Sequence, residues 1–200
     1  MRILVAEDDP IIALGLAERL RSLGHEPIGP VHDGLAALAL AQETEPDLYL
    51  FDIDMPRVDG LTAARSLAEL GFRRPVVVIT GVESPDLVDR AIEIGVSAYL
   101  TKPIDERELE AAIRLAAARH DEFLRLEAEV TRAEQALEDR KLVERAKGLL
   151  MDRVGLSEDE AFRRIQRLAR DRNQRLVEIA RTVIDNADLL GASRPPTERK

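Results

Sequence analysis

The sequence predicts an α/β doubly wound five-stranded parallel sheet, followed by a long helical connector and a small all-α three-helix bundle. Three observations carry this expectation. Short apolar runs alternate with helical periodicities through the first 118 residues, and a helix-forming stretch without glycine or proline runs from Asp105 to Lys147. After Gly155, a capping signal at Ser157 opens a new helical pattern. The expected division is residues 1–118 for the sheet domain, 119–139 for a coiled-coil-like linker, 140–190 for the bundle and 191–200 for a disordered tail.

Taken in chain order, Ile3–Ala6, Ile28–Val31, Leu48–Phe51, Val76–Thr80 and Ala98–Thr101 read as strands, short and apolar enough for a sheet buried on both faces. Ile11–Leu23, Leu35–Gln42, Leu61–Leu70 and Leu87–Ile94 read as amphipathic helices, with a fifth starting near Asp105. Gly24, Gly71 and Gly95 fall where those helices should stop. In the connector, Phe123, Leu126, Val130, Ala133 and Leu137 alternate at spacings of three and four, the seam of a short coiled coil. That seam is read as a parallel dimerisation coil; the alternative is a linker folded back on its own domains. Beyond it, Leu142–Val154 forms the first bundle helix, Ser157 and Glu160 make a capping box for the second, and Asn173 is read as the cap of the third. Gly148 interrupts a helix where alanine would be more stable, a choice that suits close backbone approach of a partner helix or of a nucleotide, packing being the commoner reason. GASRPPTERK at the end is polar and proline-rich.

Composition narrows the function classes. There is no cysteine, so thiolate metal sites and disulfides are excluded, and His25, His32 and His120 are scattered. The longest apolar run, Leu35–Ala41, is far too short for a bilayer, and MRILVAEDDP enters a strand pattern without a charged-then-apolar leader. A cytoplasmic protein with no membrane partner is expected. The net charge is −9, unevenly spread: residues 1–118 hold 11 Lys+Arg against 21 Asp+Glu, whereas residues 140–200 hold 15 against 10. An acidic body and a basic C-terminal region therefore meet different partners.

Functional residues of a parallel α/β sheet collect beyond the carboxyl ends of its strands. Glu7, Asp8 and Asp9 follow the first strand there, Asp52 ends the third with Asp54 close behind, Thr80 ends the fourth and Lys102 follows the fifth. Converging carboxylates repel one another, and a hard divalent ion such as Mg²⁺ removes that cost through oxygen ligands. A lysine and a hydroxyl on the facing rim are what an incoming phosphoryl group needs. Asp9 is set aside as a helix N-cap.

VAEDDP, DLYLFDIDMPRVDG, VVVITG and AYLTKP together resemble the receiver domain of bacterial two-component response regulators, over roughly residues 1–118. The resemblance implies a flavodoxin-like fold in which Asp52 accepts a phosphoryl group from a sensor histidine kinase. Glu7, Asp8, Asp52 and the backbone carbonyl of Asp54 would hold Mg²⁺. Thr80, Gly81 and Lys102 would meet the phosphoryl oxygens, and Tyr99 would be the aromatic switch coupled to Thr80.

The C-terminal region has no catalytic constellation, so an output enzyme is not expected. Its basic residues crowd the outside of the first two bundle helices, and the third helix has no polar face suited to reading DNA bases. The run RKLVERAKGLLMDRVGLSEDEAF…NQRLVEIARTVI resembles the ANTAR domain, an RNA-binding antiterminator module. The resemblance implies binding to paired stem-loops in leader transcripts, with Arg140, Lys141, Arg145 and Lys147 as contacts, and Arg164 and Arg167 as further ones. Ala146, Gly148, Leu149 and Leu150 are read as packing residues. A phosphorylation-gated antiterminator, dimeric when phosphorylated, is the leading expectation. A phospho-dependent adaptor whose bundle binds a protein is the alternative, and DNA is the least expected partner.

Overall fold

The structure is a computed structural model that describes residues 1–82 and 84–191, with side chains described through Ala187. Its elements are β1 (Arg2–Ala6), α1 (Pro10–Ser22), β2 (Glu26–Val31), α2 (Gly34–Thr44), β3 (Leu48–Asp52), α3 (Gly60–Glu69), β4 (Val76–Thr80), α4 (Pro85–Ile94), β5 (Ala98–Thr101), α5 (Glu106–Val154), α6 (Glu158–Arg172) and α7 (Leu176–Gly191). The five strands pair in the order β2-β1-β3-β4-β5, and every pairing is parallel. The expected strands and helices are all present, with Asp52 as the last residue of β3 itself.

All five residues of β3 and of β4 are buried, as strands covered on both faces must be. Alternate side chains divide two cores. Ile3, Val5, Leu48, Leu50, Val77 and Ile79 pack against Leu16 and Leu20 of α1 and Leu109, Ile113 and Ala116 of α5. Leu4, Ala6, Tyr49, Phe51 and Val78 face Ala37, Ala41, Ala64, Leu67 and Ala91 of α2, α3 and α4. Gly24, Gly71 and Gly95 all sit at positive φ just past their helices. Asp9 caps α1 by accepting from the amides of Ile11 and Ile12 at 2.8 and 3.2 Å.

Connector and first bundle helix are one element, since α5 runs unbroken for 49 residues. Two compact units divide within it, one from Met1 to Arg125 and one from Leu126 onward. Every residue from Asp121 to Glu138 is exposed, including the whole seam, with Phe123 at 49%, Leu126 and Val130 at 56% and Leu137 at 54%.

In the C-terminal unit, Val143 and Ala146 of α5 pack with Ile165 and Ala169 of α6 and Ile179, Ala180 and Ile184 of α7. The capping box forms: the Ser157 amide donates to Glu160 Oε2 at 2.9 Å, and the Glu160 amide donates to Ser157 Oγ at 3.4 Å. The Ser157 amide and hydroxyl both stabilise the ionised Glu160 carboxylate, holding its pKa below the usual range.

Asn173 caps no helix start; it is the left-handed C-cap of α6 at φ 51°, a conformation asparagine tolerates well. The first amide of the next turn, that of Arg175, instead donates to Glu178 Oε2 at 3.2 Å. Gly148 makes no close approach within the chain either, because a Cβ there would meet nothing within 4 Å. Gly191, expected as the first residue of a disordered tail, belongs to α7, and the rest of that expected tail, residues 192–200, lies outside the described residues.

Gly60 tolerates no side chain. A Cβ there would stand 2.1 Å from the Asp52 carbonyl oxygen and 3.2 Å from Phe51 Cβ. Because backbone must move to relieve that overlap, Gly60→Ala should cost about 2–3 kcal/mol or more, read as a lowered urea midpoint of the sheet domain. A midpoint within error of the native chain would contradict this packing.

Candidate functional site

The order reversal of the sheet falls between β1 and β3, and the charged residues of both strand ends meet there. Backbone pairing positions Glu7: its amide donates to the Val31 carbonyl at 2.9 Å, and its own carbonyl lies 2.9 Å from His32 Nδ1. Asp52 is delivered by β3, and the Lys102 amide is tied to the Thr80 carbonyl at 2.8 Å. The result is a three-charge knot. Lys102 Nζ donates to Glu7 Oε1 at 3.0 Å and to Asp52 Oδ2 at 2.9 Å.

Both carboxylates are buried, Glu7 completely and Asp52 to within 2%. Burial pushes the Glu7 carboxyl above the usual range, the Asp52 charge adds to this, and the hydrogen bond from Lys102 only partly offsets it. Burial would draw the Lys102 ammonium down, but its bonds to Glu7 and Asp52 outweigh that and hold it above its ordinary value. Lys102 is therefore a fixed positive charge throughout the neutral range.

Carboxylate oxygens of Glu7, Asp8 and Asp52 all lie within 4.8 Å of one another. Glu7 Oε2 is buried and accepts no hydrogen bond, although Lys102 Nζ stands 2.9 Å away outside bonding geometry. Asp8 is exposed, giving the cluster one face open to solvent. An orphaned buried oxygen beside two further carboxylates is a donor set that suits Mg²⁺, with water completing the coordination. Asp54 is exposed beside this cluster, its amide donating to Asp52 Oδ1 at 3.4 Å.

On the facing rim, Thr80 is fully buried. Its hydroxyl donates to the Val82 carbonyl at 3.2 Å and accepts from the Val82 amide at 3.1 Å. The Tyr99 hydroxyl donates to that same Val82 carbonyl at 3.2 Å. Thr80 and Tyr99 are thus coupled through one backbone oxygen. Gly81 is open, with nothing within 4 Å of where its Cβ would be.

Residues outside the sequence-derived set hold the loop after β3. Asp33, buried to 2%, caps α2 through the Ala36 amide at 2.9 Å and pairs with Arg57. Gly34 lets the Val58 carbonyl approach, its amide donating at 3.1 Å. Asp59 caps α3 through the Thr62 amide and hydroxyl, at 2.9 and 2.7 Å. The signals were present as two Asp-Gly pairs, Asp33-Gly34 and Asp59-Gly60, which mark helix starts and not function.

Among the basic residues of the C-terminal unit, Arg140, Lys141, Arg145, Arg164 and Arg167 are exposed. Lys141 is also paired with Glu138 at 2.7 Å. The structure puts Lys147 elsewhere. It is only 8% exposed, with Nζ 2.7 Å from Glu158 Oε1, 2.9 Å from Glu144 Oε2 and 5.9 Å from the centre of the Phe162 ring. Its hydrogen bonds to Glu158 and Glu144 raise its pKa. Lys147 ties α6 to α5 instead of presenting a free charge. Of the other candidates, Arg140 borders a cleft with Phe162 and Arg175, and Arg164 borders another with Arg153 and Arg172.

Residues 3–114 match the family model described as response regulator receiver domain, and residues 131–184 match that of the ANTAR domain. The chain belongs to the response regulators of two-component signalling, with an N-terminal receiver and a C-terminal ANTAR domain. It is 45% identical over 184 residues to the transcriptional regulatory protein PdtaR of Mycobacterium tuberculosis, covering 92% of this chain and 89% of that one. The response regulator PmrA of Pseudomonas aeruginosa is 39% identical over 116 residues, which span 57% of this chain and 51% of PmrA. The receiver domain of a modulated diguanylate cyclase from Desulfovibrio desulfuricans superimposes with a TM-score of 0.56 at 30% identity, over 60% of this chain and 95% of that one. The BeF3-activated receiver domain of RstA from Klebsiella pneumoniae gives 0.55 at 29% identity, over 58% and 98%. No helix among the described residues is long and apolar enough to cross a membrane.

Because Lys147 compensates two carboxylates from two helices, Lys147→Ala should lower the melting temperature of the C-terminal unit more than Lys141→Ala, whose pair is exposed. Differential scanning calorimetry of the full chain reads both. Equal effects would contradict the clamp.

Proposed function

We propose that this chain is a phosphorylation-dependent RNA-binding antiterminator acting in the cytoplasm. The observation that carries the reading is the knot of Lys102 with Glu7 and Asp52 at the sheet's order reversal, in a chain that ends in an ANTAR domain. Asp52 accepts the phosphoryl group from the phosphohistidine of a sensor kinase. A carboxylate oxygen forms the new P–O bond as the P–N bond breaks in line, and the kinase histidine leaves. Glu7, Asp8, Asp52 and the Asp54 carbonyl would hold Mg²⁺, which when bound neutralises charge on the transferring group.

The chain's own groups do the rest. Lys102, protonated throughout the neutral range, moves its hydrogen bond from Asp52 to a phosphoryl oxygen. The Thr80 hydroxyl, whose present acceptor is the Val82 carbonyl, turns to another. With that oxygen released, Tyr99 loses the arrangement that holds its hydroxyl outward, and the face formed by α4, β5 and α5 changes. Gly81 leaves the approach clear.

Phosphorylation favours a dimer through the exposed seam of Phe123, Leu126, Val130, Ala133 and Leu137, as a coiled coil would bury it. Two tethered modules then raise the effective concentration for paired leader-RNA stem-loops. Arg140, Lys141, Arg145, Arg164 and Arg167 supply the positive surface, and Lys147 holds the module's shape. Binding of this RNA keeps a terminator hairpin from forming.

Asp52→Ala tests the acceptor directly. Incubated with Mg²⁺ and phosphorylated kinase or acetyl phosphate, the native chain should gain one acid-stable, base-labile phosphoryl mass, and the variant none, with unchanged circular dichroism. A phosphoryl mass retained on the variant would place the acceptor elsewhere.

A further inference from the structure

Between α5, α6 and α7 the C-terminal unit leaves a cavity of about 310 Å³. Its walls are leucines and other aliphatics, chiefly Leu150 of α5, Leu168 of α6 and Ile179 and Val183 of α7. Among the described residues, no carboxylate lines it. Arg153, Arg164 and Arg172 stand around it, all exposed, and none makes a hydrogen bond or ion pair among the described residues. This sets them apart from Lys141, Lys147 and Arg175, each neutralised by a neighbouring glutamate. On the α7 wall, Asn186 Nδ2 donates to the Thr182 carbonyl at 2.7 Å, which leaves its side-chain carbonyl as an acceptor.

An apolar slot with unpaired guanidinium groups at its rim and an amide at its wall matches a flat, polar-edged ring attached to a polyanion. RNA-binding modules read unstacked loop bases by sandwiching them and contacting their edges, with phosphates held outside. Aromatic side chains usually supply the sandwich. Here the unit's only aromatic, Phe162, is half-buried and faces the Lys147 ammonium, so aliphatic walls and arginine planes must serve. The cavity is at the small end for ligand sites and suits a group of base size.

We propose that this cavity receives one splayed-out nucleobase of an RNA hairpin loop, with the flanking phosphates held by Arg153, Arg164 and Arg172. The inference rests on the RNA-binding reading above and names the subsite that reads sequence. Arg153 and Arg172 thereby join Arg164 as RNA contacts. In the sequence, Arg164, Leu168 and Arg172 recur every four residues on α6, so they share one face.

The test uses the full-length chain and RNA hairpins selected by it from a pool with randomised loops. Each loop nucleotide of a selected hairpin is made abasic in turn, and binding is measured for the native chain and for Val183→Phe, which fills the cavity. One abasic position should weaken native binding about tenfold, Val183→Phe should do the same, and the two together should cost no more than either alone. Should Val183→Phe lose helix content, the paired surface change Arg153→Gln with Arg172→Gln provides the same readout. It should weaken binding, reduce the salt slope, and leave the melting temperature unchanged. Equal abasic penalties in native and cavity variants overturn the base-binding cavity while leaving RNA binding intact. A selection that returns no binding RNA overturns both readings. Cavity variants that keep native RNA affinity but lose a protein partner assign the cleft to that protein and overturn the inference.

Discussion

The ammonium group of Lys102 is what allows three carboxylates to share the end of a buried sheet. Glu7 and Asp52 both touch it at about 3 Å, and neither has another cation within the described site. Removing one partner from such a buried set leaves an uncompensated charge, which is far costlier than losing an exposed ion pair. With Asp8 included, three carboxylates face one ammonium, an excess of two negative charges and the formal charge of one divalent ion. Burial first, and the Asp52 charge after it, raise the Glu7 carboxyl against the opposing bond from Lys102. In the proposed function, a phosphoryl group placed on Asp52 would redistribute the same charges, giving Lys102 and Thr80 new partners and releasing the Val82 carbonyl.

Such a site works only if the backbone around Asp52 stays still. Gly60 packs directly on the Asp52 carbonyl, Gly34 admits Val58, and Asp33 joins the start of α2 to Arg57 in the loop after β3. Two helix N-caps and two glycines therefore hold the loop carrying Asp54, without using a residue that touches the phosphoryl position. By contrast, α4 buries only Ala91, and its Ile92 is 70% exposed. The side of the receiver bearing Tyr99 is thus the lightly anchored one, where a local rearrangement meets least resistance.

Much of this was legible because it depends on local pattern. Strand ends reveal themselves where an apolar run meets Asp52, Thr80 or Lys102, and the Ser157–Glu160 box needs only its own spacing. What escaped depends on tertiary arrival. Lys147 follows Arg140 by seven residues on the same helix face, and only the docking of α6, which brings Glu158 to 2.7 Å, removes it from the surface. Asn173 serves equally as a helix start or as a left-handed stop, and RDRNQR does not say which. Gly148 suggested tight packing, yet the chain leaves that side of α5 open. The cavity ringed by Arg153, Arg164 and Arg172 joins residues from three helices, so no single stretch announces it.

The proposed function makes charge at Asp52 and charge on RNA the two ends of one device, and the salt dependence of binding tests that link. The full chain, with its receiver loaded with Mg²⁺ and beryllofluoride or left bare, is titrated onto a two-hairpin RNA across a range of salt concentrations. Loading should tighten binding and steepen the fall of log K with log salt, because two modules then neutralise more phosphates than one. The same affinity and the same slope in both states would show that the phosphoryl site does not control RNA binding.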